Sequence, residues 1–111
     1  MDSNYNKESF CIIGAGYAGL CAARNLKEDY SVTVFEKHVN VGGLWNYNEN
    51  INENTHSAMY KNVRTNFPKE IMDYPDFLNR QENKRSFMHR KNVLEFLEDY
   101  AWYFGLYKVI K

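Results

Sequence analysis

A glycine-rich turn followed by a distant acidic residue is the part of this sequence whose spacing most clearly indicates chemistry. Four apolar residues lead directly into a G-x-G-x-x-G sequence, which reads Gly14-Ala15-Gly16-Tyr17-Ala18-Gly19. Glu36 ends the next apolar run. This is the layout of a dinucleotide-binding βαβ unit, in which the N-terminus of the helix offers its free N–H groups to a diphosphate. The pattern therefore predicts a nucleotide site.

Each of these residue types has a physical reason to be at its position. Gly14 lets the chain turn sharply out of the strand, Gly16 lets the backbone approach a diphosphate, and Gly19 lets the helix pack closely on the sheet. Glu36 is placed to accept hydrogen bonds from ribose hydroxyls and to repel a 2′-phosphate, which favours FAD or NAD over NADP. The alternative is a tight turn in an unrelated α/β domain.

The elements that position these residues follow from periodicity. Continuous apolar or β-branched runs predict strands over 10–14 and 31–36, the first covered on both faces, and helical spacing predicts a helix over 16–28 between them. A second helix is predicted over 90–104, with one apolar face: Val93, Leu94, Leu97, Tyr100, Ala101 and Phe104. Gly105 is placed to end it in the left-handed conformation.

The rest of the chain shows weaker patterns. Residues 1–9 are predicted to be a disordered leader and 37–58 mostly loop, with a short strand at 60–65 and the start of another at 106–110. The predicted fold class is therefore α/β, with a Rossmann-like parallel sheet of three or more strands in residues 10–111. Because its last strand leads nowhere, we expect an incomplete domain, from a truncated or spliced product.

Composition excludes several classes of function. Among 111 residues, 14 basic and 14 acidic side chains cancel, so charge predicts neither a nucleic acid nor an anionic membrane as partner. No apolar run is long enough to be the core of a signal peptide or a membrane span. The two cysteines, Cys11 and Cys21, are expected to be buried thiols of a reducing compartment. The three histidines have no ligand-like spacing, so no metal site is predicted.

Further motifs extend this interpretation beyond a generic nucleotide fold. They are Val41-Gly42-Gly43-Leu44-Trp45, then Tyr60-Lys61-Asn62-Val63-Arg64-Thr65-Asn66-Phe67-Pro68-Lys69-Glu70, then Tyr74-Pro75-Asp76-Phe77, and finally Leu97-Glu98-Asp99-Tyr100-Ala101. In this order, after the glycine loop, they resemble the N-terminal part of the flavin-containing monooxygenases, and the second motif is closest to the insect members. The resemblance covers residues 10–110.

The resemblance implies a role for each matching position. Gly14 to Ala18 would surround the FAD diphosphate, Glu36 would hold the ribose, and Leu44 and Trp45 would line the FAD. Thr65 and Asn66 match a Ser/Thr-Asn pair whose Asn lies beside the flavin ring and the nicotinamide, which makes Asn66 the candidate catalytic residue. Phe67 would lie near the flavin.

In such enzymes NADPH reduces FAD, and one atom of oxygen passes to a soft nitrogen or sulfur nucleophile of a small molecule. The family's second glycine-rich motif, which receives NADPH, is absent from these residues. We therefore expect an FAD-binding fragment that is inactive alone, from a cytoplasmic enzyme that could associate with the cytosolic face of the endoplasmic reticulum. Two alternatives stay open: a non-catalytic module, and another two-nucleotide flavoprotein such as a disulfide reductase or amine oxidase.

Overall fold

The computed structural model describes residues 8–47, 61–79 and 86–111. Two strands and two helices form the framework: β1 (Ser9–Ile13), α1 (Tyr17–Leu26), β2 (Ser31–Phe35) and α2 (Arg90–Tyr103). Three single-turn 3₁₀ helices lie at Gly43–Trp45, Lys69–Ile71 and Leu106–Lys108.

The first three elements form the predicted βαβ unit. β1 and β2 pair in parallel, from Ser9 opposite Ser31 to Ile13 opposite Phe35, and α1 supplies the crossover between them. Parallel pairing of neighbouring strands requires such a crossover, because a tight hairpin would make the strands antiparallel. Ser9 belongs to β1, so the strand begins one residue before the predicted range. Residues 1–7 of the predicted leader lie outside the described residues, so its disorder stays a prediction.

Only one face of this sheet is covered by the described elements, which corrects the expectation that β1 is buried on both faces. Val32 and Val34 are buried and Ile12 is half-buried, because α1 packs on their side of the sheet. On the opposite side Ile13 is 81% exposed and Cys11 is also exposed. The prediction that both cysteines are buried is therefore wrong for Cys11; Cys21 is half-buried, and both thiols are free.

The second helix closely matches its prediction. It begins after His89, whose Nδ1 accepts a hydrogen bond from the Lys91 amide at 3.2 Å. It ends before Gly105, which has φ 67° and reverses the chain as predicted. Its buried face is Val93, Phe96, Leu97, Tyr100 and Ala101, together with Arg90 at the first turn. The predicted members Leu94 and Phe104 are half-buried instead, at the margins of that face.

Within the described residues, neither of the strands predicted at 60–65 and 106–110 forms over its predicted range. Residues 106–108 make a 3₁₀ turn, because the reversal at Gly105 is continued by a bond from the Val109 amide to the Leu106 carbonyl at 3.0 Å. Beyond this turn, Val109 and Lys111 make three backbone hydrogen bonds with Val34 and Glu36, around a parallel bridge between Ile110 and Val34. The sheet of the described residues therefore has two strands, with this short pairing beside β2 in place of a third. In the predicted strand at 60–65, the part that is described contributes one antiparallel bridge, between Arg64 and His89.

Candidate cofactor site

The glycine loop joins β1 to α1 in the geometry that its sequence predicts. Gly14 has φ 96°, a conformation that side chains disfavour, and its amide donates to the Phe35 carbonyl at 2.8 Å. At Gly19 an added Cβ would lie 2.0 Å from the Gly14 carbonyl oxygen and 3.6 Å from Ile12. The helix therefore approaches the turn more closely than any side chain at Gly19 would permit.

The N-terminus of α1 is open to an anion. The first backbone hydrogen bond into the helix is donated by the Leu20 amide, to the Gly16 carbonyl at 3.0 Å. The amides of Tyr17, Ala18 and Gly19 have no hydrogen-bond partner among the described residues, and neither a side-chain cap nor an acidic residue occupies the first turn. Free amides at the positive end of a helix dipole fit a diphosphate.

Glu36 lies against this loop, as its spacing predicts. One carboxylate oxygen accepts a hydrogen bond from the Ala15 amide at 2.8 Å, and the other accepts one from the His38 amide at 2.9 Å. These bonds connect the end of β2 to the glycine loop. Each carboxylate oxygen can accept a further hydrogen bond, so the side chain retains acceptor capacity towards hydroxyl groups.

A second glycine pair packs directly onto the first loop. The Gly42 amide donates to the Ala15 carbonyl at 2.8 Å, and Gly42 has φ 116°. An added Cβ at Gly43 would lie 3.1 Å from the Cα of Gly16, so the two backbones touch without intervening side chains. Beyond the pair, Leu44 is half-exposed and Trp45 packs partly on the core.

An open cleft of about 590 Å³ lies at the carboxyl ends of the two strands. Two predicted site residues, Gly14 and Glu36, line this cleft together with Gly43 of the second glycine motif. The other lining residues were not predicted as site residues: Ile13, Phe35, Lys37, His38 and Lys111. Parallel α/β sheets bind ligands at this edge, where loops leave the strands. Lys37 and His38 could have been found from their position directly after Glu36.

The predicted flavin-side residues lie outside that cleft lining. Thr65 is buried, and its hydroxyl donates to the Phe67 carbonyl at 2.7 Å and accepts from the Met88 amide at 3.1 Å. This side chain therefore holds the local turn, while Asn66 is exposed at its tip and Phe67 is 58% exposed. Within the described residues, no hydrogen bond joins this turn to the glycine loop.

Tyr17 contributes its backbone, and not its ring, to the N-terminus of α1. Its ring does not line the cleft but packs 5.1 Å from the ring of Tyr74, and its hydroxyl donates to the Met72 carbonyl at 2.6 Å. Burial, together with the negative charge of Asp73, raises the pKa of Tyr17 to about 12. Only the backbone of Tyr17 faces the anion-binding end of α1.

Among the described residues, no three histidine, cysteine or acidic side chains come together as metal ligands. No helix within them is long and apolar enough to cross a membrane.

Comparison with known proteins agrees with this architecture. A family model described as flavin-binding monooxygenase-like matches residues 7–111. The chain is 36% identical over 124 residues to the flavin-containing monooxygenase FMO GS-OX5 of Arabidopsis thaliana, an alignment that covers 96% of the chain and 27% of that protein. It is 37% identical over 108 residues to senecionine N-oxygenase of Tyria jacobaeae, with 91% and 23% covered.

The fold agrees as well. The structure of S-allyl-L-cysteine S-oxygenase from Allium sativum superposes with a TM-score of 0.85 at 32% identity, covering 95% of this chain and 27% of that one. The chain thus spans about a quarter of the length of these three proteins. With this match over nearly all of its residues, the chain belongs to the flavin-binding monooxygenase-like family.

Proposed function

We propose that this chain supplies the FAD-binding portion of an NADPH-dependent monooxygenase that oxygenates soft nitrogen or sulfur nucleophiles in small molecules. The observation that carries the proposal is the pairing of an uncapped helix N-terminus with a carboxylate that is already docked on the same loop. Dinucleotides need both features, because their diphosphate is anionic and their ribose is rich in hydroxyl groups.

The glycine loop would bind the diphosphate through the amides of the first turn of α1. Gly16 would bring the backbone within hydrogen-bond distance of the phosphate oxygens, since it has no side chain to hold them away. Glu36 would accept hydrogen bonds from the adenosine ribose, and its negative charge would repel a 2′-phosphate. The first nucleotide of the site is therefore FAD rather than NADPH, whose site we place outside these residues.

Flavin-side contacts are proposed for the exposed turn at 65–67. The amide of Asn66 can both donate and accept hydrogen bonds without titrating, which suits a group that orients a ring. Thr65 would hold Asn66 in place through its two hydrogen bonds, while Phe67, Leu44 and Trp45 would provide apolar contacts. When bound, the flavin would supply the redox chemistry with oxygen, and the protein would orient it and exclude water.

The substrate class is supported by the names of two relatives, one an N-oxygenase and the other an S-oxygenase. We infer a cytoplasmic enzyme, with the cytosolic face of the endoplasmic reticulum as the proposed place of any membrane association. A disulfide reductase is disfavoured by the family match.

The test is to express the longest open reading frame that contains this sequence and to purify it from cells supplied with riboflavin. We expect a yellow protein whose NADPH oxidation rises when a tertiary amine or a thioether is added. A colourless protein that consumes no NADPH would refute the proposal. The 111-residue chain, assayed in parallel, should bind FAD without oxidising NADPH; a flavin-bound but inactive longer protein would instead support the non-catalytic alternative.

A further inference from the structure

Two reciprocal hydrogen bonds join the glycine loop to the segment that follows Asn66. The Tyr17 hydroxyl donates to the Met72 carbonyl at 2.6 Å, and the Tyr74 hydroxyl donates to the Tyr17 carbonyl at 2.6 Å. Each tyrosine therefore binds the backbone of the other's segment, across more than fifty residues of sequence. We refer to Tyr17 and Tyr74 with these two bonds as the tyrosine clamp.

The clamp is held in a rigid, mostly buried setting. Tyr74 is only 5% exposed, and its ring stacks on that of Tyr100 at 4.0 Å and on that of Phe96 at 5.8 Å. Burial raises the pKa of Tyr74 above its ordinary value, so the hydroxyl stays protonated and remains a donor. Rings packed in this way have few alternative rotamers, which fixes where both hydroxyls point.

The position of the Tyr17 carbonyl links the clamp to the amides that would bind the diphosphate. That carbonyl belongs to the first residue of α1, one position after Gly16, where the anion-binding amides begin. On the other side, Met72 and Tyr74 belong to the described segment 61–79, which also carries Asn66. A bond at each end therefore couples the placement of the diphosphate amides to the placement of that segment.

We propose that Tyr17 and Tyr74 are positioning residues for FAD: the clamp holds the first turn of α1 and the segment bearing Asn66 in one fixed relation. This inference rests on the proposed function. It adds that the dinucleotide affinity of the glycine loop depends on two hydroxyls that make no contact with the nucleotide.

The test compares Tyr17→Phe and Tyr74→Phe with a matched control, Tyr100→Phe. All three lose one hydroxyl and keep the ring within the same aromatic cluster. The Tyr100 hydroxyl is buried and makes no hydrogen bond to an oxygen or nitrogen atom among the described residues; the partner that it interacts with is the Cys21 thiol, a weak hydrogen-bonding group, so its removal breaks no strong bond. Circular dichroism confirms folding, and the two clamp variants serve as alternatives if one of them fails to fold.

Hydrogen exchange in the free 111-residue chain is measured first. The probes are the Leu20 amide, bonded to Gly16, and the Phe77 amide, bonded to the Tyr74 carbonyl at 3.2 Å. We expect each clamp variant to speed exchange at both probes about five-fold, the effect of one buried neutral hydrogen bond, and the control to leave both unchanged. Unchanged exchange in both clamp variants would overturn the proposal, whatever the result with FAD.

FAD titration, followed by flavin fluorescence, is the second measurement. We expect the dissociation constant to rise about five-fold in the clamp variants and to stay at the wild-type value in the control. Faster exchange with wild-type FAD affinity would also overturn the proposal. If the wild-type chain itself bound no FAD, the proposed function would fail for this chain and the inference would fail with it. This outcome is distinct from a failure of the clamp alone, because FAD binding would already be absent without any substitution.

Discussion

Replacing Gly19 by alanine tests the close approach of α1 to the turn at Gly14. The added methyl carbon would lie 2.0 Å from the Gly14 carbonyl oxygen and 3.0 Å from the Gly14 carbonyl carbon. Both are backbone atoms of the turn that leaves β1, so no side-chain rotation can relieve the overlap. The first turn of α1 must therefore move away from the sheet.

The magnitude follows from opposing effects. Overpacking of a tight contact typically costs about 1–3 kcal/mol, and contact with backbone favours the upper end. Alanine recovers about 1 kcal/mol of helix propensity relative to glycine. The net loss is about 1–2 kcal/mol, which lowers the melting temperature of a chain of this size by about 5–10 °C.

The assay pairs this variant with Gly16→Ala. At Gly16 an added Cβ would lie 3.6 Å from the Cα of Gly43, an ordinary contact, and φ is −89°. Gly16→Ala should therefore melt within about 2 °C of wild type, yet lose about ten-fold or more in FAD affinity because the methyl group meets the diphosphate. Gly19→Ala should show the thermal loss. A Gly19→Ala variant as stable as wild type would refute the close-packing argument.

Three further outcomes are expected. Glu36→Ala removes the acceptor of two backbone amides, so urea unfolding should report a loss of about 2 kcal/mol; an unchanged midpoint would show that the carboxylate does not anchor the loop. Gly42→Ala puts a side chain at φ 116°, a conformation that alanine disfavours, and its Cβ would also displace the Leu94 side chain, so its melting temperature should fall; an unchanged melting temperature would contradict the strain at this position. The pKa of Tyr17 is raised from 10.0 to about 12, so the unfolded chain loses its proton first and stability should fall from pH 10 to 12. Tyr17→Phe should make the urea midpoint fall less steeply over that range, and an identical slope would contradict this assignment.

The glycine loop was predictable because its constraints are local. The turn at Gly14 and the close approach at Gly19 both follow from the absence of a side chain, and Glu36 follows from the end of β2. These features need no knowledge of distant packing. The same is true of Gly105, because the residue that follows the C-cap of a helix often takes the left-handed conformation, which glycine adopts without strain.

Other features depend on neighbours that periodicity does not reveal. Cys11 looks buried in an apolar run, but its exposure is decided by which elements cover its face of the sheet. The run at 106–110 has the composition of a strand, but residues 106–108 form a 3₁₀ turn after Gly105, so their backbone does not pair with the sheet. The direction of the Tyr17 side chain depends on Tyr74, which is far away in sequence.

The binding of a dinucleotide by this loop is tested most directly by titrating the ¹⁵N-labelled 111-residue chain with FAD, and separately with ADP, followed by backbone NMR. We expect saturable shifts of the Ala15 to Gly19 amide resonances with both ligands, because both carry the adenosine diphosphate. The amide resonance of Gly105, a residue that lies beside Lys27 at the other end of α1, should not shift. A folded sample whose loop amides do not move with either ligand would contradict the claim that this loop binds a dinucleotide.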